Sequence, residues 1–416
     1  MPETASPESA SGIRVVVTGM GAVSALGTSL EENWDAAKCG RGGIHIITLE
    51  AGAHGPPPQI LPLALVGQPV QEQLEAVLGH RVAALDPTAI YAVKAVHEAL
   101  QHAGLLGHSI LEHRTSVVFG QGNGGSHTLD RAYERFYGMK SPRLHPLTVP
   151  RVMVSAPVSA ITMEFHVKGP AFAVSSACSS SGHSVSQGAM MIRAGLAEVA
   201  IVGGSEAIAS PGTMRAWEAT QAISATTCRP FSIDRDGTVV GEGAAALVLE
   251  SLEHANARGA AIYGELRGVG MSSDAFHWTQ PSAEGAVTAM RQAWDGSGVA
   301  EGEAVLIASH GTGTALNDKN EAGAIHTVFD GRNPYRVIAT KSAHGHLIGA
   351  STALQTVLGL KALEEGTAPP ILNFLGPDPE CDLDLVTGEA QAIAARILVV
   401  NAFAFGGLNT SLVFAI

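Results

Sequence analysis

Cys178 lies in the segment AVSSACSSSGHSVSQGAMMIRAG, where an apolar lead passes through small residues into helical spacing at Val185, Ala189, Met190 and Ile192. That pattern predicts a strand, a sharp turn and a helix starting at or near Cys178. A thiol at a helix N-terminus meets free N–H groups and partial positive charge, which lower its pKa and favour the nucleophilic thiolate. Small neighbours leave room for a substrate. A lone cysteine is more often a buried small hydrophobe, so the assignment rests on its companions. His310 in IASHGTGTALND and His346 in TKSAHGHLIGA each follow an apolar run and share a loop with glycine, 36 residues apart. Lys341 precedes His346 by five residues and could orient or charge the site, whereas His344 fits a structural role. The terminal NAFAFGGLN, 401–409, adds a glycine-rich turn whose amides could form half of an oxyanion hole.

The elements that must carry these residues are legible as well. IRVVVTGMGAVSALG from Ile13, RTSVVFGQGNGG at 114–125, EVAIVGGSEA at 198–207 and GAAALVLES at 243–251 are short apolar runs flanked by glycine, the pattern of buried strands. In PTAIYAVKAVHEALQHAG, 87–104, Ile90, Val93, Val96 and Leu100 fall at helical spacing and Gly104 ends the run. Alternating strands and helices imply an α/β fold. The pattern starts again near Leu252, and AVLIASHGTGT, RVIATKSAHGHLIGA and RILVVNAFAFGGLN each run an apolar strand into a polar or glycine-rich loop. Chemistry at strand ends is where α/β folds usually keep it. The expected organisation is a polar tail over residues 1–11, a half over 12–251 with the nucleophile, and a half over 252–416 with both histidines; Gly55–Pro58 reads as a surface loop.

Composition narrows the function. With 46% hydrophobic and 15% charged residues among 416, the chain is not intrinsically disordered and can bury a sizeable core. Aromatics at 5% offer no platform for stacked bases, and a net charge of −13 counts against tracking a phosphate backbone, so no nucleic-acid partner is expected. Cys39, Cys178, Cys228 and Cys381 show no C-x-x-C spacing, so neither a zinc ribbon nor a redox dithiol is indicated, and reduced thiols in the cytoplasm are expected. No metal is expected at the site. The N-terminus lacks a secretory signal, and no apolar run is long enough for a membrane span.

Six ordered motifs carry a resemblance: VVVTGMGAVSALG, SSACSSSG, RPFSIDRDGTVVGEGAAALVLE, HGTGTALNDKNEAGAI, TKSAHGHLIGAS and NAFAFGGLNTSLVF. Together they make the chain, from Ile13 on, resemble the condensing enzymes of fatty-acid and polyketide synthesis, most closely the elongating β-ketoacyl-acyl-carrier-protein synthase II type. The resemblance implies a thiolase-like fold of duplicated halves in five αβαβα layers, usually a homodimer. It implies decarboxylative Claisen condensation of an acyl group with malonyl-acyl carrier protein. The product is a 3-oxoacyl-acyl carrier protein two carbons longer.

By the same resemblance, Cys178 is the acyl-accepting nucleophile, His310 and His346 the catalytic histidines, and Lys341 their support. Phe405 gates the acyl pocket, and its N–H joins that of Cys178 on the oxyanion. Thr312 and Thr314 hold the phosphopantetheine arm, which arrives on the carrier protein, so no resident cofactor is implied. Asp318 and Glu321 fall on acidic positions after that loop, with Glu321 paired to Lys341. Lys140 and Arg143 fall near the carrier-docking position. Asn123 stands where an apolar residue lines the acyl pocket, and Gln355 where a glutamate contributes to a buried network for a monovalent cation. Ser176 and Ser179–Ser181 depart from the usual nucleophile motif toward polyketide synthases. A degradative thiolase would need a second active cysteine near the C-terminus, which Cys381 in PDPECDLDL does not supply. A synthase of the initiating type would replace one histidine by asparagine, and a non-catalytic chain-length partner would lack Cys178. The expectation is a stand-alone enzyme that meets its partners in trans.

Overall fold

The computed structural model of the chain describes residues 12–52, 55–67, 70, 72–73 and 79–416; the expected tail over residues 1–11 lies outside them. The predicted strands form because their apolar runs are buried on both faces: every residue of β1 (Val15–Ser24) is buried. The first half adds β2 (Thr115–Gly120), β3 (Ala171–Val174), β4 (Val199–Glu206) and β5 (Gly243–Ser251). The second half supplies β6 (Gly264–Ser273), β7 (Val305–Ala308), β8 (Tyr335–Ile338), β9 (Ile397–Phe403) and β10 (Leu408–Ala415).

These strands make one ten-stranded sheet in the order β8-β7-β9-β10-β6-β1-β5-β4-β2-β3. The two halves repeat one another. In the first, β1 and β5 pair antiparallel, as do β5 and β4, and β2 runs parallel to both β4 and β3. In the second, β6/β10 and β10/β9 are antiparallel and β7 is parallel to both β9 and β8. The halves join where β1 meets β6, at Val16↔Glu265 and Val17↔Gly264.

The two halves of the sheet pack on either side of central helices as separate layers, and outer helices complete five αβαβα layers. On one outer face lies α1 (Pro87–His102), whose Ile90, Val93, Val96 and Leu100 pack on Val117, Phe119, Ile201 and Val248. Asp86 caps it by accepting from Thr88 N, and Gly104 follows its end at φ 67°. Gly19 and Gly21 let α1 lie close on β1, since a Cβ at either would fall 2.2 Å from the Ala99 or Ala95 carbonyl oxygen. Between the halves lie α2 (Ser180–Arg193) and α3 (Ser351–Glu365), with Val185, Ile192, Leu354 and Leu358 in one core. Helix α3 is buried continuously from Ser351 to Leu363, as a helix with partners all round must be. The other outer face carries the helices Ala283–Ser297 and Ala315–Phe329, packed through Met290, Trp294, Ile325 and Phe329. Gly55–Pro58 is exposed, as the sequence predicts. Among the described residues, no helix is long and apolar enough to cross a membrane.

Candidate active site

The duplication places Cys178 and His346 at equivalent points. Cys178 follows β3 and precedes α2; His346 follows β8 and precedes α3. The two helix starts converge between the halves, and Cys178 Sγ lies 3.0 Å from His346 Nε2. Helix α2 begins at Ser180, two residues beyond the nucleophile, because Ala177 adopts a left-handed φ of 50° that turns the chain sharply. Ser180 Oγ pins this elbow by accepting from Ser176 N at 2.9 Å and donating to the Ala177 carbonyl at 2.6 Å. The thiol does not have the lowered pKa expected from the sequence. Burial pushes it up to about 11, outweighing the charge of Lys341 and the N–H groups of Phe405 and of Cys178 itself, which favour the thiolate. Those two amides bear on the sulfur, beside which the carbonyl oxygen of an attacked thioester would become the tetrahedral oxyanion.

His310 comes from the end of β7, and its ring stands 5.5 Å from that of His346 at 84°. Both imidazoles are held well below their ordinary value, chiefly by burial and then by the charge of Lys341, so both are neutral at pH 7. Their tautomers follow from their partners. Ile348 N–H donates to His346 Nδ1 at 3.1 Å and Ser351 Oγ reaches the same nitrogen at 2.8 Å. A backbone N–H can only donate, so the proton of neutral His346 sits on Nε2, toward the sulfur. Lys341 Nζ lies 3.4 Å from His310 Nδ1 and also donates to the His310 carbonyl. An ammonium likewise only donates, which leaves the His310 proton on Nε2. His344 is buried against Thr340 Oγ1, in the structural role expected.

The loop after His310 is held by two carboxylates one helical turn apart. Glu321 accepts from His310 N and Gly311 N at 2.7 and 2.8 Å; Asp318 accepts from Thr312 N and Gly313 N at 3.1 and 3.2 Å. The expected Glu321–Lys341 pairing is therefore not a direct one. Both oxygens of Glu321 are taken by backbone amides, while Lys341 Nζ bonds to the His310 carbonyl and to Gln355 Oε1. Burial raises Glu321 to about 7 and lowers Lys341 to about 8, and their mutual attraction opposes both shifts.

Cys178, His310, His346, Thr312, Thr314 and Phe405 line one cavity of about 350 Å³. The Thr312 and Thr314 hydroxyls stand 2.9 Å apart on its wall. Phe405 is held over the cavity by the turn that follows it: Gly406 N donates to the Trp278 carbonyl and Asp274 N to the Gly407 carbonyl, at 2.8 and 2.9 Å. Both glycines have left-handed φ, 80° and 71°, and a Cβ on Gly407 would lie 2.5 Å from that of Asp274. Asn123 does not line this cavity. It is exposed in the loop after β2, where its backbone N, donating to Glu206 Oε1 at 3.2 Å, anchors the main chain. Lys140 and Arg143 are exposed on the segment before the helix Ala156–Glu164.

Sequence reasoning missed Ile348, Ser351, Trp217 and Glu206. Trp217 stacks on Phe405 with centroids 5.8 Å apart, and a lone tryptophan in an amphipathic helix gives no signal of that. The ligating atoms of Cys178, His310 and His346 lie within 4.8 Å of one another, a spacing that soft metal sites also use.

Residues 13–255 match the family described as Beta-ketoacyl synthase, N-terminal domain, and residues 263–375 its C-terminal domain. The chain is similar to Nodulation protein E of Rhizobium meliloti (strain 1021), at 38% identity over 96% of this chain and 98% of that one. It is similar at 34% identity to 3-oxoacyl-[acyl-carrier-protein] synthase 2 of Staphylococcus aureus (strain MRSA252), over 97% and 98% of the two chains. Among solved structures it is similar to the ishigamide ketosynthase/chain length factor, with a TM-score of 0.89 and 33% identity over 97% of this chain and 99% of that one. With the duplicated fold, the elbow cysteine and two neutral histidines already in place, the chain belongs to the beta-ketoacyl synthase family.

Proposed function

We propose that this protein is an elongating, type II β-ketoacyl-acyl-carrier-protein synthase of fatty-acid or specialised acyl-chain synthesis. The observation that carries this reading is Cys178 Sγ lying 3.0 Å from a His346 Nε2–H, under two amides that favour negative charge at that sulfur. Sulfur attacks an acyl thioester, the oxyanion leans on the Cys178 and Phe405 amides, and the pantetheine thiolate leaves, taking the proton the thiol gives up. Acyl transfer is thus neutral in protons. The emptied pantetheine arm departs past Thr312 and Thr314, and a malonyl thioester replaces it.

Carbon dioxide then leaves the malonyl group. The electron pair of the broken bond becomes an enolate whose oxygen accepts from the Nε2–H groups of His310 and His346. Its carbon attacks the acyl-enzyme carbonyl, the oxyanion returns to the same two amides, and Cys178 leaves as a thiolate and recovers a proton from water. Both imidazoles act as donors, so their tautomer matters more than their charge.

The partner in this reading is an acyl carrier protein, a group named in the Staphylococcus aureus relative. Exposed Lys140 and Arg143 make no ion pair among the described residues and offer its acidic surface a docking point on a chain of net charge −13. A homodimer is supported by the edge strand β3 with its exposed Phe172, and by the exposed apolar side chains of Tyr137, Met139 and Met153. The reading needs no resident cofactor, and four free thiols agree with a cytoplasmic enzyme. A second reading, a ketosynthase of a dissociated polyketide pathway that pairs with a paralogue, is favoured by the serine-rich nucleophile motif and by the ketosynthase/chain length factor neighbour.

Incubation with a series of acyl-acyl carrier proteins, then malonyl-acyl carrier protein, tests the reading by the mass at Cys178 and the product formed. Acylation followed by a product two carbons longer is expected, and a reduced, folded protein that no acyl chain modifies overturns it. A Lys140→Glu, Arg143→Glu double variant is expected to raise KM for the carrier protein. An unchanged KM removes the docking assignment. Sedimentation of the protein alone separates a homodimer from a subunit awaiting a paralogue.

A further inference from the structure

Gln355, on α3 and 1% exposed, bridges two groups that hold His310. Its Oε1 accepts from Lys341 Nζ at 2.9 Å, and its Nε2 donates to the carbonyl of Ser309, the residue before His310. The amide's orientation is settled by its partners, because an ammonium only donates and a carbonyl only accepts. A glutamate here, which the resemblance leads one to expect, would turn an acceptor toward the Ser309 carbonyl. Two facing acceptors, once that carboxyl is ionised, need a cation between them.

The other polar atoms around this point have partners within the protein. Asn401 Oδ1 accepts from Ser411 Oγ at 2.9 Å, Asn401 Nδ2 faces Glu321 at 3.4 Å, and Glu321 holds the amides of His310 and Gly311. Ser309 Oγ donates to the Ile338 carbonyl at 2.9 Å. None of these side chains has a buried polar atom without a partner. Residues that already satisfy one another, with a donor where a ligand would stand, do not fit a monovalent cation.

We infer that the Gln355 amide replaces a carboxylate and its cation with a single neutral group, and that this protein positions His310 without a bound ion. Gln355 is a positioning residue: it touches Lys341 and the Ser309 carbonyl and acts on the chemistry through them.

The test compares the full-length protein with a Gln355→Glu variant in buffers whose only cation is potassium, sodium or tetramethylammonium, at a pH where a carboxyl is ionised. Melting temperature and condensation rate are read together. The native protein is expected to melt alike in all three buffers and to keep its rate within about twofold, a difference small beside that of a lost buried hydrogen bond. The Gln355→Glu variant is expected to lose about tenfold in rate in tetramethylammonium and to melt about 2 °C lower there, with potassium restoring both. A native protein that loses activity or melts lower in tetramethylammonium overturns the inference, as does a variant indifferent to the cation. A rubidium-soaked crystal of the native protein needs no variant to fold: an anomalous peak at the Ser309 carbonyl overturns the inference, and its absence there supports it. Melting reports on the ion whatever reaction the site performs, so failure here is separable from failure of the proposed function.

Discussion

Ile348 donates its backbone N–H to Nδ1 of His346 at 3.1 Å, and to do so it adopts a left-handed φ of 42° that β-branched residues rarely take. A strain of this kind costs on the order of 1–3 kcal/mol and persists only where the surroundings impose it. Here Gly349, the next residue, anchors the turn by donating to Glu206 Oε2 at 3.1 Å. The effect is to fix one tautomer of His346. Ser351→Ala removes the second donor to that nitrogen and leaves the Ile348 amide, so condensation is expected to fall about fivefold, the size of one hydrogen bond. Single-turnover acyl transfer to Cys178 should fall by less, because the enolate leans on this tautomer more heavily than the thiol does. Equal losses in both steps would count against the assignment.

The raised Cys178 thiol makes a kinetic prediction. With the thiol pushed up to about 11, alkylation by iodoacetamide in the free protein should accelerate by about tenfold per pH unit between pH 7 and 8, in step with the thiolate fraction. Above that the slope should soften, since Lys341, lowered to about 8, loses the charge that favours the thiolate. A rate already flat at pH 7 would mean that the helix N-terminus and the amides outweigh burial.

Replacing the nucleophile separates the two halves of the reaction. Cys178→Ala leaves the His310 and His346 donors and their partners Lys341, Ile348 and Ser351 in place. Condensation should vanish while malonyl-acyl carrier protein still loses carbon dioxide, measured as acetyl-acyl carrier protein formed. A His310→Ala, Cys178→Ala double variant should lose that residual decarboxylation by about a hundredfold or more, the range of a removed oxyanion donor.

How much of this could be read from sequence depends on whether the cause is local. Cys178, His310 and His346 were legible because each ends an apolar strand run beside glycines, and strand ends hold chemistry in an α/β fold. Their meeting was not, since β3 and β8 lie at opposite edges of the sheet and it is the packing of α2 with α3 in one core that brings the β3–α2 and β8–α3 turns together. The Glu321–Lys341 pairing failed for a related reason. Opposite charges assigned to one site say nothing about which backbone amides compete for the carboxylate, and here two amides took it. Asn123 sits in a readable strand-end loop, but only the fold decides that its side chain faces outward. Ile348 carries no local signal at all, because its φ is imposed by the Glu206 anchor on Gly349.

Glu206 itself gives the protein an unusual stability profile. It is fully buried, accepts from Gly122 N, Asn123 N and Gly349 N, and is pushed by burial from its ordinary 4.5 up to about 7. Between those values the folded state holds a proton that the unfolded chain has released. The contribution is therefore complete below about pH 4.5 and is lost as pH rises through 7, amounting to on the order of 3 kcal/mol. Glu206→Gln removes this titration, so whatever its offset, its melting temperature should gain on the native protein as pH goes from 5 to 8 in calorimetry. A constant difference across that range would show that Glu206 stays ionised throughout.

The last prediction sets donor spacing against tautomer. Cys178 Sγ and the two histidines bring ligating atoms within 4.8 Å of one another, which taken alone reads as a zinc site. Zinc on His346 Nε2 would require the imidazole proton on Nδ1, where it would meet the Ile348 N–H at 3.1 Å and leave two donors facing. On His310 the same shift would set a ring N–H against the Lys341 ammonium 3.4 Å away. Zinc would also have to displace a thiol proton held as tightly as a pKa of about 11 implies. The protein is accordingly expected to keep its condensing activity in micromolar zinc at neutral pH, and to show no zinc uptake at Cys178 by native mass spectrometry. Tight inhibition that a chelator reverses, together with zinc uptake that Cys178→Ala abolishes, would mean that the proton sits on Nδ1, and the roles assigned to Ile348 and Lys341 would fall with it.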